Sequence, residues 1–202
     1  MITSLIRPVG SIALPAFAGT RVYMQPHILG ERVRISDNPN FENPIEEMLR
    51  HVSDDGAKVF ITIDQKAVQA GKTHRRPGVH VDGNFIFDWS KGGGGGWLTG
   101  VEGRILSPEN HRLQYVNPMG GMMLASSHQA CRAWIGEIDD EPGQGGNCAH
   151  MVDKLDQLES FLLLPNQIYL GNSTCVHTSL PLEEGVERTL IRVTMAPSFK
   201  LQ

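Results

Sequence analysis

Apolar positions recur along this chain with two different periods, and the switch between them divides it. Near residues 43–52 they fall three and four apart, so that Ile45, Met48, Leu49 and Val52 line one side of a helix. Asn43-Pro44-Ile45-Glu46 supplies the start: Asn at the N-cap, Pro in the first helical position, acidic residues in the first turn. The stripe is a surface for packing on a sheet. From Val59 onward the period drops to two, the signature of strands. The pattern predicts strands at 59–64, 79–89, 112–116, 121–126 and 131–138, with turn residues between them. Residues 153–160 read as a short helix. Residues 161–179 (FLLLPNQIYLGNSTCVHTS) hold an apolar run, a Pro-Asn break, a second short run, a Gly-Asn-Ser turn and a strand carrying His177. A last strand, 186–195 (VERTLIRVTM), is rich in β-branched residues. The first forty residues are punctuated by Pro and Gly, and predict an irregular lead-in with one or two strands.

Strands without long intervening helices favour a barrel or sandwich over a parallel α/β sheet. The expected architecture is a single, mainly β domain with one or two supporting helices. Residues 1–58 form a lead-in and a helix packing on the barrel, and residues 59–202 form the barrel core. With 202 residues, 40% of them hydrophobic, the chain can bury a sizeable core.

Charge and cysteine content narrow the function classes. A net charge of −4 gives no global basic footprint for nucleic acid. No stretch approaches 18 consecutive apolar residues, so no membrane span is expected. Cys131, Cys148 and Cys175 are odd in number and lack C-x-x-C spacing, which argues against a disulfide framework or a zinc knuckle and for a cytoplasmic setting. Cys175 shares a strand face with His177, either lining the same cavity or serving as a small buried hydrophobe. Ala16-Phe17-Ala18 has the look of a signal-peptidase site, but Pro8, Gly10 and Pro15 interrupt the apolar segment such a signal needs.

Three polar segments border the strands. Residues 91–97 (KGGGGGW) lack the G-K-[ST] ending and the following helix of a phosphate-binding loop. They read plainly as a mobile loop, or more sharply as a lid anchored by Trp97. Residues 139–147 (DDEPGQGGN) read as a flexible excursion. Residues 71–78 (GKTHRRPG) put Lys72, His74, Arg75 and Arg76 just ahead of His80. They are either a solvated loop or an electropositive rim for an anionic substrate.

The candidate chemistry starts at His80-Val81-Asp82. Two residues apart on a strand, the imidazole and the carboxylate point to one face. His177, on a distant strand, can complete two imidazoles and one carboxylate, a set that holds one side of an iron(II) ion and leaves positions open. The tripeptide alone is short enough to arise by chance, and a strand histidine hydrogen-bonded to Asp82 is the plain alternative. The other histidines, His27, His51, His74, His111, His128 and His150, have no partner motif. In the last strand Arg188, Leu190 and Arg192 share a face, opposite Thr189, Ile191 and Val193. Two arginines on one face of an apolar strand are costly to bury unless an anion meets them, and a guanidinium suits a carboxylate; an edge strand with its arginines in water is the alternative.

The order H-x-D, distal His, then Arg eleven residues later resembles the iron(II)/2-oxoglutarate-dependent dioxygenase superfamily. The resemblance spans residues 59–195 but rests on few diagnostic positions. It implies a double-stranded β-helix (jelly-roll, cupin-like) core, with His80 and Asp82 near the end of the second core strand, His177 on the seventh and Arg188 starting the eighth. It further implies iron(II) held by His80, Asp82 and His177. The cosubstrate 2-oxoglutarate would have its far carboxylate on Arg188, assisted by Arg192. The reaction implied is hydroxylation or demethylation of an unidentified substrate, with release of succinate and carbon dioxide. Asp82, where halogenases carry Ala or Gly, places the likeness with the hydroxylating branches. Two rival readings stand beside it: a cupin-like metalloenzyme with non-oxidative chemistry, and a non-catalytic jelly-roll binding or structural module.

Overall fold

The computed structural model describes residues 1–53, 56–82, 120–143 and 146–195. The architecture is mainly β, with two antiparallel sheets and two helices. The larger sheet is built from β2 (Ile6–Ser11), β3 (Arg21–Ile28), β4 (Lys58–Val68), β5 (Gly121–Ser126), β8 (Gln167–Asn172) and β10 (Val186–Thr194), in the order β2-β8-β5-β10-β4-β3. The smaller is centred on β6 (Cys131–Ile138), which pairs with β1 (Ile2–Ser4), β7 (Glu159–Leu162) and β9 (His177–Ser179).

Alternation along the strands gives the larger sheet two different faces. Ile61, Ile63, Met123, Ala125, Ile168, Leu170, Ile191 and Val193 point to one side and form a core with α1 (Glu42–Leu49), through Ile45 and Met48. Met122, Leu124, Tyr169 and Leu190 point to the other side, where they meet Cys131, Ala133 and Cys175. The two sheets therefore pack against each other. The outer side of the smaller sheet is closed by Trp134, Ile138 and Val176 against Val81, Cys148, Met151 and Leu155.

The strands expected at 121–126, 131–138 and 186–195 are present, the first two with the expected bounds. The first forty residues contribute β1, β2 and β3, more than the one or two strands their composition suggests, and these strands join both sheets. The chain crosses from the smaller sheet to the larger at Leu5, whose N–H donates to Asn172 Oδ1 at 3.1 Å. Asn43 lies inside α1 and does not cap it; Asn38 caps the 3-10 turn Pro39–Phe41 that leads into the helix. The helix expected at 153–160 is the single turn α2 (Val152–Leu155), because β7 begins at Glu159 and takes the rest. The strand expected at 79–89 is described only as far as Asp82, and the 112–116 strand, the 91–97 loop and His111 lie outside the described residues. Among the described residues, no helix is long and apolar enough to cross a membrane.

Candidate metal centre

His80 is held by backbone pairing on both sides. Its N–H donates to His177 O at 3.0 Å, and the His177 N–H donates back to His80 O at 2.9 Å, so the two histidines stand opposite each other in an antiparallel bridge. On the other side Val81 N–H donates to Gly146 O, and Cys148 N–H to Val79 O, both at 2.9 Å. Alternation does the rest: Val79 and Val81 turn outward into the apolar cluster over the smaller sheet, leaving His80 and Asp82 facing inward. Val176 and His177 divide in the same way.

The three side chains meet. Ligand atoms of His80, Asp82 and His177 all lie within 4.8 Å of one another. His80 Nε2 is 3.9 Å from Asp82 Oδ1, and His177 Nε2 is 3.9 Å from Asp82 Oδ2. The imidazole centroids are 4.5 Å apart and tilted by 56°. Each ring is oriented from behind: His80 Nδ1 lies 2.7 Å from Gly78 O, and His177 Nδ1 lies 3.0 Å from Cys175 O. A carbonyl only accepts, so each Nδ1 carries the proton and each Nε2 of a neutral ring presents its lone pair inward. This is the backing that metal-bound histidines use. Burial, and then the neighbouring His177, push the His80 imidazole down to about 4, which keeps it neutral. Burial opposes the Asp82 charge, but Arg192 and the two imidazoles outweigh it and hold the carboxyl well below the usual range. The donor set thus fits a divalent cation: two imidazole nitrogens and one carboxylate oxygen.

The two arginines of β10 take different roles. Arg192 Nη1 donates to Asp82 Oδ2 at 2.7 Å, so it buttresses the carboxylate. The family resemblance implies a cosubstrate role for Arg192; in the structure its guanidinium engages the candidate ligand Asp82. Arg188 is 1% exposed; its Nε donates to Ser126 Oγ at 2.9 Å, while its Nη1 is buried with no hydrogen-bond partner among the described residues. Burial lowers its proton affinity, but a guanidinium starts so high that the charge persists. Both arginines, the triad, Met122, Leu124, Leu190 and Cys131 line one cavity of about 210 Å³.

Arg75, Arg76 and Tyr23 also line this cavity. The 71–78 segment is therefore in part a rim. His74 is buried with Nε2 3.2 Å from Asp64 Oδ2, and Arg75 Nη1 reaches the same oxygen at 3.1 Å. Sequence reading missed Asp64, Ser126 and Tyr23. The first two sit on the inner face of predicted strands, and the alternation that placed Arg188 could have placed them. Cys131 lines the cavity, whereas Cys175 packs between the sheets; all three cysteines are free and buried. Burial pushes the Cys131 thiol up to about 12, so it is not a reactive thiolate.

No protein-family model, curated protein or solved structure matches the chain. Fold and site together define a mainly β protein with a His-Asp-His group that can hold a metal ion.

Proposed function

We propose that this protein is an iron(II)- and 2-oxoglutarate-dependent dioxygenase on a jelly-roll core, acting on a C–H bond of a small substrate. An iron(II) ion held by His80, Asp82 and His177 would use dioxygen as the oxidant and 2-oxoglutarate as the co-reductant, one oxygen atom going to the substrate and the other to succinate, with carbon dioxide released. The chain's own residues do the positioning. The Gly78 and Cys175 carbonyls fix both imidazoles with Nε2 inward. Arg192 holds one oxygen of Asp82 and so sets the carboxylate plane. Arg188 receives the far carboxylate of the cosubstrate, and Ser126 fixes the guanidinium from behind. Met122, Leu124 and Leu190 keep that end of the cavity dry, which strengthens every charge contact inside it.

The observation that carries this reading is the open Nη1 of Arg188 in the same cavity as the triad. A buried guanidinium whose Nη1 has no partner among the described residues carries a desolvation cost. A carboxylate arriving from solution removes that cost, and a guanidinium meets it in two parallel hydrogen bonds. A metal site alone does not account for such a group, and a binding module without a metal does not account for the triad. The test is isothermal titration of 2-oxoglutarate into the zinc-loaded chain, followed by an aerobic assay of succinate formation with iron(II). Metal-dependent binding and iron-dependent succinate are expected. Metal binding without any affinity for 2-oxoglutarate defeats the oxygenase reading in favour of non-oxidative metal chemistry.

A further inference from the structure

Two strands share one edge of β6, and the joint between them lies behind a candidate ligand. β7 takes the opposite edge. β1 lies against residues 136–138 and β9 against residues 131–133, which leaves Trp134 and Ile135 at the gap. Backbone groups at a break in a ladder need other partners. Trp134 N–H donates across the gap to Val176 O at 3.1 Å, and Trp134 O accepts from the hydroxyl of Ser4. Ser4 is fully buried, and its oxygen also accepts from Val176 N–H at 2.8 Å. One short side chain thus replaces a backbone pair.

The Val176 N–H is one half of a peptide group whose other half is the Cys175 carbonyl. That carbonyl lies 3.0 Å from His177 Nδ1 and orients the imidazole. A peptide is planar, so fixing its N–H fixes the direction of its C=O. Every donor in the resulting chain points the same way: His177 Nδ1–H to Cys175 O, Val176 N–H to Ser4 Oγ, and Ser4 O–H to Trp134 O. Bonds aligned in this manner polarise one another, more so where water is absent, and Cys175 and Val176 are both buried. A stronger acceptor behind Nδ1 holds the ring more firmly and makes Nε2 a better donor to a cation. Other bonds tie β1 to the same turn without touching this peptide. Thr174 Oγ1 and Asn172 Nδ2 both donate to Thr3 O.

We infer that Ser4 is a positioning residue of the metal centre, acting on His177 through the peptide between Cys175 and Val176. The inference rests on the triad being a metal site, and is independent of the oxygen chemistry proposed for it. Zinc affinity is measured on the full chain by competition with a chromophoric chelator. The ring protons are followed by NMR in the zinc-loaded protein, isotope-labelled at histidine nitrogen. Ser4→Ala weakens zinc binding by about fivefold or more, short of the largest losses seen when a direct partner of a ligand is removed. In the same variant the His177 Nδ1 proton exchanges with water about tenfold faster, while the His80 Nδ1 proton, held by Gly78 O, keeps its wild-type rate. Ser4→Cys, with a weaker hydrogen-bonding group of similar size, falls between. Thr174→Val loosens β1 but spares the peptide, and leaves zinc affinity within about twofold. An unchanged zinc affinity or an unchanged His177 proton in Ser4→Ala overturns the inference, and so does an equal loss of affinity in Thr174→Val. If Ser4→Ala does not fold, Ser4→Cys decides by the same two readouts. Wild-type protein that binds no zinc removes the metal centre and this role with it. Zinc binding without affinity for 2-oxoglutarate defeats only the oxygenase reading and leaves the role of Ser4 standing.

Discussion

Two buried polar side chains lie side by side on the β4–β10 pair and are treated in opposite ways. Gln65, opposite Thr189, is 1% exposed, and all of its hydrogen-bonding capacity is used. Its Oε1 accepts from Ala18 and Thr20 N–H at 2.9 and 3.0 Å, and its Nε2 donates to Ala16 O at 3.2 Å and Thr189 Oγ1 at 2.9 Å. Arg188, one position along β10 on the other face, is equally buried and carries a charge, yet keeps an Nη1 with no described partner. A buried polar group with every valence filled is part of the fold. One left open in a cavity fits the proposed role of Arg188 as an anchor for a carboxylate. The first supports the loop at residues 16–20; the second faces the cavity.

The contrast breaks most sharply at the triad. His177→Ala, like Asp82→Ala, removes a ligand, and iron-dependent succinate formation is expected to fall to background. Undiminished turnover in the His177 variant removes that residue from the metal site. The next effect is at Arg188. Arg188→Met should raise the 2-oxoglutarate concentration needed for half-maximal binding by about 30-fold or more, because truncating one partner of a buried charge pair costs about 2–5 kcal/mol. The same substitution should make the ligand-free protein more stable, by about 1–4 kcal/mol, since a buried charge with an open N–H among the described residues leaves the interior. Thermal unfolding and titration on one sample check both halves; a loss of stability in Arg188→Met sinks the comparison. Gln65→Leu should do the reverse. It destabilises by about 2–3 kcal/mol through the orphaned backbone groups of residues 16–20 and leaves 2-oxoglutarate affinity unchanged.

The smallest effect concerns Asp64. His74, followed by Arg75, draws its carboxyl down to about 2 from an ordinary 3.8, against the opposing effect of burial. A depressed carboxyl contributes stability above its unfolded value and loses it as pH falls through the folded one. Asp64→Asn should therefore cost about 2 kcal/mol at neutral pH in urea unfolding, a gap that closes between pH 4 and pH 2. A gap that persists at pH 2 assigns the loss to packing, with no part for charge.

How much of this was legible in the chain follows from which features are local. The strands β5, β6 and β10 alternate cleanly, and parity alone placed His80 with Asp82 and Arg188 with Arg192 on the inner face. The stripe of Ile45 and Met48 identified α1 and its packing face. What failed was where tertiary pairing overrides a broken local pattern. β1 is three residues long, β2 contains Pro8 and a register shift after it, and the bulge at Met24 interrupts the alternation of β3. Each is a strand only because a partner from far along the chain stabilises it. The same holds in the site. That Arg192 would meet Asp82, or that Asp64 would gather His74 and Arg75, depends on contacts across distant segments that no local spacing encodes.

The latch at the start of the chain carries one further consequence. Thr3 O accepts from both Asn172 Nδ2 and Thr174 Oγ1, and Ser4 Oγ accepts from Val176 N–H, so β1 grips the turn that delivers His177. Among the described residues, β1 and β2 are thus paired with strands more than a hundred positions away, β6 and β8. β3, β4 and α1 can meet early, but β1 and β2 cannot settle until β6 and β8 are available, so this part of the fold closes late. The candidate ligand set is completed in that same closure, because the turn that β1 grips is the one that delivers His177.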